Sequence, residues 1–127
     1  MQRRDRELLS ELRTMHARFN ADLFGGVLAT VEFRISDRMR TRLGEVTVEP
    51  QSSRLVEITI SRRHWERDGR GEVEKTLLHE MIHQWQAESG RKVDHGPSFR
   101  RKAREIGVAP AARRTVDQAG APTNEQG

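Results

Sequence analysis

The sequence predicts a small α+β domain in which a small sheet of antiparallel type is covered by an N-terminal helix and two later helices. Three observations carry this reading. Apolar residues recur at helical spacing over residues 3–24, 72–88 and 97–106. Between the first two of these stretches lie three short runs in which apolar and polar residues alternate, the pattern of half-buried strands. A chain of 127 residues has room for one modest core, so all of these elements share it.

In the first helix Leu8, Leu12, Met15, Phe19 and Leu23 follow one another at steps of three and four, and Gly25-Gly26 ends it. Val31, Phe33 and Ile35 alternate with Glu32 and Arg34, which gives a first strand. Val46 and Val48 alternate with Glu45, Thr47 and Glu49 in a second strand that stops at Pro50. Gln51-Ser52-Ser53 is a turn, and Leu55 to Ile60 is a third strand with Val56, Ile58 and Ile60 on one face. So short a turn makes the second and third strands a hairpin. Ser61 to Gly71 is charged, with room for a short helical turn. Val73, Leu77, Leu78, Met81, Ile82 and Trp85 then mark the apolar face of a helix over residues 72–88, ended by Gly90. His95-Gly96 is a loop. Pro97 suits a first helical position, Phe99, Ala103 and Ile106 form one face, and Gly107 closes the last helix. Residues 1–108 form the expected domain. Residues 109–127 have no apolar period and read as a disordered tail.

Composition removes several classes. With no cysteine there is neither a disulfide framework nor a thiolate metal site. The N-terminal MQRRDRELLSELR has no apolar segment after its charges, unlike a secretory signal, and no apolar run is long enough to span a bilayer. A cytoplasmic monomer is the expectation. Twenty arginines against three lysines give a net charge of +4, which favours polyanions such as nucleic acid, although a GC-rich coding sequence enriches arginine as well.

The chemistry is carried by His79-Glu80-Met81-Ile82-His83, an H-E-x-x-H motif inside the second long helix. Residues four apart on a helix lie about 40° apart around the axis and one turn apart in height, so both imidazoles can reach one ion. Glu80, about 100° on from His79, stands beside that ion and can take a proton from a water activated there. Catalytic zinc keeps three protein ligands and one open position, so the motif needs a third. His95 is the first choice, because the loop after the helix can bring it back beside the motif. Glu105 on the last helix is the rival, since some H-E-x-x-H enzymes use a later glutamate. The long metzincin form does not apply, because it requires glycine where Gln86 stands and histidine where Ser89 stands. His16 and His64 are read as non-ligands, His64 as partly exposed.

Beyond the spacing, whole segments resemble SprT-like domains. His16-Ala17-Arg18-Phe19-Asn20-Ala21-Asp22-Leu23-Phe24-Gly25-Gly26-Val27-Leu28 is similar to the stretch leading to their first strand. Ser36-Asp37-Arg38-Met39 with Leu43-Gly44 resembles their first hairpin, and Ile58-Thr59-Ile60-Ser61 their last strand. Leu77-Leu78-His79-Glu80-Met81-Ile82-His83 and His95-Gly96-Pro97-Ser98-Phe99 resemble their active-site pair. The resemblance spans residues 8–108. It implies a compact zincin-like fold, Zn2+ held by His79, His83 and His95, and Glu80 as catalytic base. The family includes proteases that degrade proteins crosslinked to DNA, so the resemblance also implies DNA–protein crosslink repair. The cysteine-rich zinc ribbon of many members has no counterpart in this cysteine-free sequence.

The leading expectation is therefore a zinc metalloendopeptidase acting on protein, including DNA-associated protein. Arg91, Lys92, Arg100, Arg101, Lys102 and Arg104 could contact DNA phosphates beside the site. Trp85 is either core or a platform for a base. The alternatives are a non-catalytic zinc-stabilised nucleic-acid-binding module and a zinc amidase or peptidase with small substrates. Glu80 separates the first alternative, since a structural metal site has no use for a base.

Overall fold

The computed structural model describes residues 3–52 and 54–108; the expected tail lies outside them. The elements run α1 (Arg3–Leu23), β1 (Glu32–Ser36), β2 (Gly44–Val48), β3 (Leu55–Ser61), α2 (Arg62–Asp68), α3 (Arg70–Glu88) and α4 (Pro97–Ile106). The fold is α+β, with four helices and one three-stranded sheet among the described residues.

The sheet is mixed, not antiparallel. Its order is β1-β3-β2. β2 and β3 form the expected antiparallel hairpin, with Val46 opposite Ile58, but β1 lies parallel to β3 on the other side, with Phe33 opposite Ile58. Side-chain alternation has a period of two in either kind of pairing, so the pattern that marks β1 as a strand cannot give its direction. Placing β3 in the centre leaves β2 at an edge.

A second correction concerns β3. Thr47 pairs with Glu57 and the next residue, Val48, pairs with Leu55, so Val56 is an extra residue in a bulge. The bulge shifts the phase of the strand by one residue. Leu55 joins Ile58 and Ile60 in the core, while Val56, expected there, is exposed.

α1 forms for the reason its spacing suggests. Leu8, Leu12, Met15 and Phe19 are buried together with Ile58, Ile60, Leu77 and Met81. Burial of each such side chain contributes about 1.5–3 kcal/mol, so this stripe is the main apolar attachment of α1 to the domain. The segment between β3 and α3 is a complete short helix rather than a turn. Ser61 caps it by accepting a hydrogen bond from the His64 amide at 3.1 Å, and Trp65 and His64 are buried beneath it. Arg62 ties this end of the molecule together, donating to Asp5 of α1 and to Asp37 after β1. The hydrogen bond from Arg62 holds the Asp5 carboxyl below its ordinary range.

α3 packs against β2, β3, α1, α2 and α4. It is therefore enclosed on more sides than its apolar stripe suggests. Thr76, His79, Glu80, His83, Gln84 and Gln86 are buried alongside Val73, Leu77, Met81 and Ile82, whereas Leu78 and Trp85 keep partial exposure. A central helix that buries six polar side chains must satisfy them locally, and His79, Glu80, His83 and Gln86 among them line the candidate site. No helix among the described residues is long and apolar enough to cross a membrane.

Candidate metal centre

α3 brings His79 and His83 one turn apart on the same side. After Glu88, Gly90 turns the chain at φ 76°, a left-handed conformation that suits glycine, and the loop returns His95 to the helix. His95 Nε2 lies 3.1 Å from His79 Nε2 and 3.2 Å from His83 Nε2. Among the described residues these three form the one His/Cys/Asp/Glu group whose atoms could share a metal ion. Glu105 is not part of it. Its carboxylate pairs with Lys102 at 3.0 Å on the outer face of α4.

The donor set fits zinc. Around a tetrahedral ion with bonds of about 2.0–2.1 Å to nitrogen, neighbouring nitrogens stand about 3.3 Å apart. The two separations from His95 match, and three imidazoles leave a fourth position open. The protonation states agree for at least one ring. Gln86 Nε2 donates to the Asp94 carbonyl (3.0 Å) and the Ser98 hydroxyl (2.9 Å), so its Oε1 faces His83 Nδ1 as an acceptor at 2.9 Å. His83 must then carry its proton on Nδ1 and turn the Nε2 lone pair toward the other rings.

Two residues that sequence reasoning missed hold this arrangement. Gln86, fully buried, is one: it joins His83 to Asp94 and Ser98, on either side of His95, and Asp94 N donates back to its Oε1 at 3.3 Å. The available signal was its place one turn after His83. The other is Phe99, fully buried on α4, whose ring centre lies 4.8 Å from that of His79, 5.0 Å from His83 and 4.9 Å from His95. It is the apolar floor on which all three imidazoles stand. Arg100 adds a hydrogen bond from Nη1 to the His95 carbonyl at 3.0 Å. Replacing Gln86 by Ala is expected to weaken zinc affinity about 10–100-fold, as loss of a residue orienting a ligand does. Competition with a chelator of known affinity measures it, and an unchanged affinity would remove Gln86 from this role.

Glu80 is 1% exposed. It faces the start of β2, where Gly44 permits a close approach: a Cβ there would lie 3.0 Å from Thr76 Cγ2, 3.2 Å from the Thr59 carbonyl oxygen and 3.3 Å from Glu80 Oε2. The Glu80 carboxylate is thus wedged between its own helix and the edge strand.

The remaining histidines lie elsewhere. His16 donates from Nε2 to Gln84 Oε1 at 2.8 Å, joining α1 to α3. His64 is buried rather than partly exposed, because α2 exists and places it between Asp68 and Thr76. Two of the six cations expected to contact DNA also lie against aromatic rings. Arg91 lies over the Trp85 ring at 4.6 Å, and Lys102 reaches the Trp85 and Phe24 rings at 5.0 and 5.4 Å. Trp85 is therefore part-buried under cations. Lys92, Arg101 and Arg104 are exposed.

Residues 12–119 match the SprT-like family. The chain belongs to that family. Over 111 residues it is 32% identical to the DNA-dependent metalloprotease dvc-1 of Caenorhabditis elegans, a match that covers 84% of this chain and 30% of the relative. Over 109 residues it is 32% identical to the DNA-dependent metalloprotease SPRTN of Danio rerio, covering 84% of this chain and 17% of that protein. The SprT-like chain thus spans less than a third of the length of these curated relatives. All four residues of the candidate centre fall inside the family match.

Proposed function

We propose that this chain is a zinc metalloendopeptidase, with His79, His83 and His95 as metal ligands and Glu80 as catalytic base, acting on DNA-associated or DNA-crosslinked protein. The observation that carries the reading is that His95 Nε2 lies 3.1 Å from His79 Nε2 and 3.2 Å from His83 Nε2, with a buried carboxylate, Glu80, on the helix that bears two of the three rings. Zinc held there supplies a Lewis acid for the scissile carbonyl and acidifies water. Glu80 accepts the proton of the attacking water and delivers it to the leaving amine. Gln86 and Phe99 keep the ligand rings aimed, so little reorganisation accompanies the reaction.

The edge position of β2 supports a polypeptide substrate. Its outer backbone groups are unused by any described strand, and an extended segment added there would run past Gly44 and the Glu80 carboxylate. Support for DNA comes from the named activity of the two relatives and from the exposed cations Lys92, Arg101 and Arg104 in the loop and helix that follow α3.

The test is cleavage of a DNA-binding protein by the zinc-loaded chain with and without single-stranded DNA. Cleavage stimulated by DNA is the expected result. Reversing charge at Lys92, Arg101 and Arg104 together should weaken DNA binding and flatten its salt dependence by about one unit of slope per lost phosphate contact. Retained DNA binding with zinc present and no cleavage of any protein would instead identify a non-catalytic binding module.

A further inference from the structure

Behind the base lies a buried line of side chains to which nothing above assigns a role. His64 on α2 is 1% exposed, and both its ring nitrogens are engaged. Nδ1 lies 2.6 Å from Asp68 Oδ2, one turn along the same helix, and Nε2 lies 2.8 Å from Thr76 Oγ1 on α3. Arg67 donates to both Asp68 oxygens at 2.9 Å. The Arg67 hydrogen bonds, followed by that of His64, hold the Asp68 carboxyl well below the usual carboxylate range. Asp68 is thus an acceptor, His64 Nδ1 donates to it, and in the neutral ring Nε2 accepts the Thr76 hydroxyl proton.

Thr76 sits one helical turn before Glu80. Its hydroxyl and methyl share one carbon, and rotation by about 120° in one sense puts the hydroxyl where the methyl stood. With the hydroxyl drawn to His64, the methyl is the group that faces Gly44, and Thr76 Cγ2 and Glu80 Oε2 border the same small space there. A hydroxyl in the methyl's place would compete with the attacking water for the Glu80 carboxylate. We propose that Asp68 and His64 are positioning residues that lock the Thr76 rotamer, so that the base meets a methyl rather than a hydrogen-bond donor. This rests on the reading of Glu80 as the base.

The first readout does not depend on activity. Three-bond couplings from the Thr76 methyl carbon to the backbone nitrogen and carbonyl carbon report its rotamer. They should show one rotamer in the native chain, metal-free or zinc-loaded, and an averaged or switched one in His64→Phe. Unaltered couplings in that variant overturn the proposal. The second readout is kinetic. His64→Phe should lower kcat about tenfold with little change in KM, the scale of a misplaced catalytic group. Adding Thr76→Val, which has a methyl at either position, should recover most of that loss. A double variant no better than His64→Phe alone overturns the proposal. Should His64→Phe fail to fold, the comparison of single substitutions with His64 intact decides. Thr76→Val should retain a higher kcat than Thr76→Ser, and the reverse order would show that the hydroxyl itself is what the reaction needs. A native chain with zinc but no cleavage sinks the functional reading, and the couplings still decide the positioning one.

Discussion

Replacing Glu80 by Gln is expected to lower the rate of peptide hydrolysis at least 10²–10⁴-fold, about the contribution of a positioned general base, while zinc content and fold stay unchanged. The amide has the shape of the carboxylate, so it fits the same space beside Gly44. What is lost is the acceptor for the proton of water. The measurement is single-turnover cleavage of a fluorogenic protein substrate, with metal content determined on the same sample. Hydrolysis that persists near the native rate would move the base elsewhere, and among the buried polar residues of α3 no second carboxylate is present to take its place.

The second large effect is expected from His83→Ala. It removes one of three nitrogens and also the shorter of the two hydrogen bonds to Gln86 Oε1, that from His83 Nδ1 at 2.9 Å, leaving the one from Asp94 N at 3.3 Å. A pair of imidazoles on separate elements then remains, and zinc should fall from one equivalent to near zero after dialysis. Zinc binds the folded chain preferentially, so the native protein should also unfold at higher temperature with zinc than without. At a free concentration one thousand times the dissociation constant, the linkage is about 4 kcal/mol. In His83→Ala this zinc-dependent difference should vanish. Full metal occupancy in the variant would exclude His83 as a ligand.

Much of the architecture was legible because period and spacing report local geometry. The stripe from Leu8 to Phe19 can serve only a helix with one buried face, and α1 has that face. The strand positions were legible for the same reason. The direction of β1 was not, because pairing partners are chosen by the whole sheet. Nor was the bulge at Val56, where Leu55 and Val56 are both apolar and nothing local says which turns inward. α2 escaped because few of its residues are apolar, although Ser61 ahead of it is an ordinary capping residue. At the site, two histidines four apart announce themselves, and the structure brings His95 to them. Gln86 and Phe99 do not. A glutamine on a helix is by default a surface residue and a phenylalanine a core one. Only their contacts with the imidazoles give them further parts, and those contacts depend on how the loop between α3 and α4 folds back.

That loop has a consequence for how order is distributed along the chain. The three nitrogens come from positions at most 16 residues apart, and His83 and His95 are separated by 12. An ion gripping them acts as a crosslink over a very short span, and the entropy recovered by closing so small a ring grows only as about (3/2)RT ln n. The clamp therefore tightens the α3–α4 corner and does little for the far end, where α1 rests on its apolar stripe and on Arg62. Amide exchange should follow this division, with α3 and α4 slowing on metal uptake and α1 keeping its own pace.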